Sequence, residues 1–238
     1  MDLNFETFIT NLLKSEPEPE VFLKKLCRCA HIMGFPFFTY IIFACYPARR
    51  PIVKIEGNFP DRYIDDYLSL NLYLTDPMIE QAHHSTLQFQ WDRQFYSQAS
   101  ELWLKMANFG IKEGWSQSIK DCSGRLGILI FAGEKIPALK PATRATHETF
   151  FSWLAQLAHK TLRESLLPAC DDAIKDDLTP REKDMLRWCS EGKTSEEIAL
   201  LLGLSVRTVN FHISNAIRKL SVANKTAATA KAVYLQLI

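Results

Sequence analysis

Apolar residues recur at helical spacing through the last sixty positions of the chain. Met185, Leu186 and Cys189 form one stripe, Ile198, Leu201 and Leu202 a second, and Val209, Ile213, Ile217 and Leu220 a third. Capping chemistry marks where these helices begin. Thr179-Pro180-Arg181-Glu182 reads as a capping box with proline at the first helical position, where its missing N–H costs nothing. Thr194-Ser195-Glu196-Glu197 repeats the box just after Gly192, a natural stop for the helix before it. Ser205 follows Gly203-Leu204 and caps a third helix, and Asn224 caps a fourth. The pattern predicts a compact four-helix module with a short turn between its second and third helices.

The pattern before residue 168 is mixed. Helical spacing predicts helices near 3–14, 18–34, 60–71, 75–83 and 98–109. Apolar, β-prone runs predict strands near 37–46, 52–57, 115–121 and 125–133, the last two flanking the turn at Ser123-Gly124. A long amphipathic helix follows over 141–167, with Phe150, Phe151, Trp153, Leu154 and Leu157 on its apolar side. The expected class is α+β: an N-terminal α-β-α sandwich with an antiparallel sheet between helices, then the helical module.

Between them, residues 168–177 hold a proline, four aspartates and little apolar periodicity, which predicts a linker between domains at 1–167 and 178–238. This division changes the meaning of the charge. The whole chain has 28 Lys and Arg against 27 Asp and Glu, which argues against a nucleic-acid partner. Residues 178–238, however, carry nine basic and five acidic side chains, so the near-neutral total is two domains of opposite sign. The acidic N-terminus has no basic start or apolar core of a secretory signal, and the longest apolar run is about a dozen residues, short of a membrane span. The six cysteines lack paired spacing, so no metal site is expected and the expected compartment is the cytoplasm. Adjacent His83-His84 beside Glu80 point apart on a helix and read as solvated surface. No GxSxG elbow, Gly-rich phosphate loop or plausible triad spacing is present, so an enzyme is not expected.

With Val209, Ile213 and Ile217 facing inward, the third helix presents Arg207, Asn210, Phe211, Ser214 and Arg218 outward. Asn pairs bidentately with adenine and Ser addresses several base edges. Lys193, Thr194, Thr208 and Lys219 lie at helix ends, where donors meet phosphates. The runs Leu178–Leu186, Glu191–Ala199, Thr208–Ile213 and Arg218-Lys219-Leu220 together resemble the LuxR-type DNA-binding domain, without gaps over about sixty residues. The resemblance implies that the third helix enters the major groove and the fourth pairs two copies. Ala228, Ala232 and Leu235 are the face expected to do so. It also gives His212, in the family's TVxxH pattern, a positioning role rather than a metal one.

The stretches Gly57–Tyr67, Leu74–Pro77, Gln88–Trp91 and Phe109–Ser116 are similar to the autoinducer-binding domain of quorum-sensing LuxR regulators. No acidic pair and central aspartate of a phospho-acceptor receiver is found. The resemblance implies a homodimer on a pseudo-palindromic DNA site, with no cofactor but an N-acyl-homoserine lactone as signal. Around that ligand the family has Trp, Tyr, Asp, Pro, Trp and Gly; here they read Tyr63, Tyr67, Asp76, Pro77, Trp91 and Gly114. Trp115, Ser116, Phe59 and Ile130 complete the expected site.

A buried Asp76 would need hydrogen bonds, which a ligand amide N–H supplies, although a residue before proline equally caps a helix. Trp91 would be an apolar wall. The departures bear on the ligand. Tyr63 replaces an indole donor, Phe59 stands where a Tyr hydroxyl is usual, Ile130 where some members carry Ser or Thr, and Ser118 where Pro is usual. A different hydrophobic signal, or a regulator that needs none, is the alternative.

Overall fold

The computed structural model describes residues 18–44, 51–121, 124–138, 141–167 and 177–238. The helix expected near 3–14, nearly all of the linker, and Ser123 of the expected turn lie outside them. The described elements fall into two compact units.

The first unit opens with α1 (Pro19–Ile32), then the hairpin strands β1 (Phe37–Ala44) and β2 (Ile52–Gly57). Helix α2 (Asp61–Ser69), a 3-10 turn at Leu72–Leu74, α3 (Pro77–His84), β3 (Phe89–Trp91) and α4 (Ser100–Ala107) follow. Strands β4 (Glu113–Lys120) and β5 (Arg125–Gly133) and the long α5 (Pro141–Leu166) close it. The sheet runs β2-β1-β5-β4-β3, and each described pairing is antiparallel. Three-residue β3 is the one strand that periodicity did not predict, because three residues are too few to display a period.

Both faces of the sheet are covered, so its central strands are buried throughout rather than alternating with polar residues. Phe38, Tyr40, Ile42, Trp115, Leu129 and Phe131 join the core made by α1 and α5, where Phe151, Leu154 and Leu162 are fully buried. Ile41, Phe43, Ile128, Ile130 and Ala132 face the opposite way, into a second core with α2, α3 and α4.

The second unit is α6 (Pro180–Ser190), α7 (Ser195–Leu202), α8 (Val206–Lys219) and α9 (Lys225–Tyr234). All four predicted caps form. Thr179 and Thr194 each accept from the N3 backbone while Glu182 and Glu197 reach back, and Ser205 and Asn224 accept from Thr208 and Ala227. Gly203 ends α7 at φ +64°, a left-handed conformation that glycine adopts at least cost, and redirects the chain into α8. Met185, Ile198, Val209 and Ile213 form one core cluster, as the periodicity predicts, with Ala199 added. Leu201 is a correction: it is 54% exposed, because α7 turns Ile198, Ala199 and Leu202 inward instead.

Candidate functional site

On the α2–α4 side of the sheet lies a cavity of about 20 Å³, scarcely room for one water. Its wall includes Thr39, Ile41, Phe59, Tyr63, Tyr67, Trp91 and Ile130. Helix α2 places Tyr63 and Tyr67 one turn apart on its buried face, with ring centroids 5.7 Å apart. Tyr63 also packs on Phe59, at 6.1 Å.

Asp76 is 2% exposed, and its carboxylate collects three donors. The Met78 N–H lies 2.8 Å from Oδ1, the Tyr96 hydroxyl 3.1 Å from the same oxygen, and the Tyr67 hydroxyl 2.8 Å from Oδ2. The residue therefore caps α3 and also anchors two phenols, so the two readings of Asp76-Pro77 hold together as far as the cap is concerned. Burial raises the Asp76 pKa against the lowering effect of those hydrogen bonds. Burial, seconded by the nearby Asp76, pushes the Tyr63, Tyr67 and Tyr96 phenols well up, which keeps them protonated donors. Among the described residues, the Tyr63 hydroxyl has no hydrogen-bond partner.

Trp91 donates from Nε1 to the Ser116 hydroxyl at 2.8 Å, so Ser116 sits behind the wall and orients the indole. Gly114 allows this approach. A Cβ there would lie 2.6 Å from the Phe131 carbonyl and closer still to the Trp91 ring. Trp115 is a correction. Side chains alternate along a strand, so Trp115 and Ser116 cannot face one pocket. Trp115 turns to the other core, 5.5 Å from Phe35 and 6.1 Å from Phe151. Sequence reasoning missed Tyr96, Thr39, Met78 and Met106. Asp76's need for more than one donor signalled a further partner without singling out Tyr96, and nothing marked the rest.

In the second unit, α8 buries Val209, Ile213 and Ala216 and exposes Arg207, Asn210, Phe211, Ser214 and Arg218 as one stripe. Phe211 is 61% exposed, unusual for a large ring on a small module. Thr194 and Thr208 lie at the N-termini of α7 and α8, with hydroxyls engaged in caps or with Ser205. Lys193, just before α7, is half-buried. Lys219, expected to meet a DNA phosphate, already has partners within the unit. Its ammonium donates to Glu182 Oε2 and to the Asp177 carbonyl, both at 2.9 Å, and thus ties α8 to α6. Glu182 is held below the usual carboxylate range: burial opposes this, but the Lys219 and Thr179 hydrogen bonds outweigh it.

Ala228 and Ala232 are a further correction. Both are 0% exposed and pack in the module's own core with Leu186, Ala216 and Leu220. Their small size lets α9 approach its neighbours within the unit. Leu235 is half-buried just beyond α9, while Thr226, Ala230 and Val233 form its exposed stripe. Among the described residues no group of three or more His, Cys, Asp or Glu is placed to hold a metal, and no helix is long and apolar enough to cross a membrane. His83 and His84 are exposed.

A sandwich with an apolar pocket over a buried carboxylate, followed by a helix-turn-helix, is the make-up of a signal-responsive transcription regulator. The comparisons agree. Residues 19–162 match the autoinducer binding domain family, and residues 176–232 match the bacterial regulatory proteins of the luxR family. The transcriptional activator protein SolR of Ralstonia nicotianae is 30% identical over 224 residues, 94% of each chain. The quorum sensing-dependent transcriptional regulator RpaR of Rhodopseudomonas palustris is 34% identical over 209 residues, 84% of this chain and 83% of that one. The crystal structure of Escherichia coli SdiA is similar over 98% of both chains, with a TM-score of 0.76 and 26% identity. The chain belongs to the LuxR family of transcriptional regulators, and is not an enzyme.

Proposed function

We propose that this chain is a cytoplasmic quorum-sensing regulator that binds an N-acyl-homoserine lactone in the α2–α4 pocket and reads a pseudo-palindromic operator as a homodimer. The observation that carries the ligand reading is the Asp76 carboxylate shared by two phenols beside the uncommitted Tyr63 hydroxyl. The ligand's amide N–H donates to Asp76 Oδ2 in place of Tyr67. The released Tyr67 hydroxyl then donates to the amide carbonyl, and Tyr63 donates to the lactone carbonyl. Every polar group is thereby paired, which a buried site demands. The acyl chain lies against Ile41, Phe59, Trp91 and Ile130.

With about 20 Å³ of open space, the pocket must rearrange to admit such a ligand. Tyr63 and Ile64 move with α2, so a ligand favours one arrangement of that helix and stabilises the unit by mass action. The near-filled pocket also favours a second reading, a regulator that folds and binds DNA with no signal. Calorimetric titration of the full chain with lactones of increasing acyl length separates the two. Binding that is lost in Asp76→Ala supports the lactone reading, and no heat with any length refutes it.

On the DNA side, Asn210 reads adenine and Ser214 a second base edge, while the Phe211 ring meets a thymine methyl. Arg207, Arg218, Lys193, and backbone donors near Thr194 and Thr208 fix the phosphates. The dimer forms along Thr226, Ala230 and Val233, the face of α9 left outside the core.

A further inference from the structure

We propose that the first unit carries a second ligand site, for a neutral sugar, on the sheet face opposite the α2–α4 pocket. A surface cleft of about 620 Å³ lies at the β3 edge of the sheet. Leu87, Gln88 and Gln90 form one wall, and Glu148, Thr149 and Ser152 of α5 the other. That volume is within the range of small-molecule sites, and it accommodates a mono- or disaccharide. Glu148 and Ser152 stand one turn apart, so one face of α5 supplies the second wall. This site stands independently of the lactone reading.

The sheet wall is short of hydrogen bonds. Gln88 Oε1 and Gln117 Oε1 are shielded from solvent and, among the described residues, have no partner. Gln117 is 8% exposed and spends its amide nitrogen on the Thr86 carbonyl at 3.3 Å, so its oxygen is what remains. It stands two residues beyond Trp115 on β4 and therefore points to the same face, toward α5. Trp115 is in register with Gln90 of the cleft wall, and its buried Nε1 likewise has no partner among the described residues. Two carbonyl acceptors and one indole donor thus collect on the strands beside the cleft. Buried polar atoms left unpaired are costly, so this face favours whatever supplies their bonds.

The wall chemistry selects the class of ligand. Acceptors predominate, so the occupant must bring O–H or N–H donors. No lysine or arginine lines the cleft, which tells against a phosphate or carboxylate. The one carboxylate, Glu148, already accepts from Arg144 Nε at 2.9 Å, which offsets its charge and tells against a cation. A neutral polyol fits both limits. Sugar hydroxyls donate to the glutamine oxygens and to Glu148, while accepting from the Gln90 amide and the Ser152 hydroxyl. The C–H face of the ring packs on Leu87, which is 76% exposed.

The test is proton–nitrogen correlation NMR of the full chain during titration with glucose, galactose, N-acetylglucosamine, maltose and lactose. The resonance followed is the Trp115 indole N–H, identified by its loss in Trp115→Phe. At least one sugar is expected to shift it saturably, with a millimolar or tighter dissociation constant. Gln88→Leu removes an acceptor, and Thr149→Trp fills the cleft. Each is expected to weaken that sugar at least about tenfold. Thr149 is exposed, so its variant serves where Gln88→Leu does not fold. Glucuronate, the anionic control, is expected not to bind. No saturable shift with any neutral sugar overturns the inference, as does binding that either folded variant leaves unchanged. Glucuronate binding as tightly as the best neutral sugar also overturns it, since the wall would not select against charge.

Discussion

Asp76 and Glu182 are both buried carboxylates, yet their surroundings push them in opposite directions. Burial dominates at Asp76, so its folded pKa is raised. Above the ordinary carboxylate pKa the unfolded chain has already lost this proton while the folded state still holds it. The contribution of Asp76 therefore favours folding less as pH rises through that window. Glu182 is depressed by Lys219 and Thr179, so its contribution is present above the ordinary carboxylate range and is lost on acidification. Lys219→Ala leaves Glu182 buried without its cation and is expected to destabilise the second unit by about 3–5 kcal/mol, read by urea unfolding with hydrogen exchange in α6 and α8. Asp76→Asn keeps an oxygen to cap α3. It is expected to keep the fold but to weaken lactone binding by about tenfold, since one carboxyl acceptor is replaced by an NH2 donor. Neither Lys219 nor Tyr96 could be given its partner from the sequence. Glu182 and Lys219 are 37 positions apart, and Asp76 and Tyr96 20 apart. Such pairings are fixed by how elements pack, which periodicity does not encode.

Elements were legible wherever the determining chemistry was local. All four caps of the second unit were readable because donor and acceptor lie within three residues. Ser205→Ala is expected to cost about 1 kcal/mol of stability, measured by thermal unfolding, and to fray the first turn of α8 where Arg207 and Thr208 sit. Facing direction was legible only where periodicity spoke for it. It placed Val209 and Ile213 correctly, but the phase of α9 put Ala228 and Ala232 in the core instead of at an interface. In the sheet, Trp115 and Ser116 could be separated only by knowing which face of β4 looks toward α5. Gly114 shows the close packing behind that arrangement. Gly114→Ala is expected to push Trp91 off Ser116, costing about 1–3 kcal/mol and altering the indole fluorescence.

At the scale of the molecule, charge and function are divided between the units. Residues 178–238 carry nine basic and five acidic side chains, and Lys219 is already committed to Glu182. So few cations supply few phosphate contacts per copy, which the proposed homodimer would double. Val233→Glu on the exposed stripe of α9 is expected to lower DNA affinity by disrupting the dimer while leaving the unit folded, as sedimentation and far-UV circular dichroism would report. In the proposed function an acyl-homoserine lactone controls sequence-specific DNA reading by α8. The most direct measurement is selection from random double-stranded DNA by the full chain, with and without lactone, in parallel with the Asn210→Ala, Ser214→Ala double variant. Lactone is expected to enrich a two-fold-symmetric sequence, and the double variant to lose it. Enrichment indifferent to lactone, or unchanged in the double variant, would contradict it.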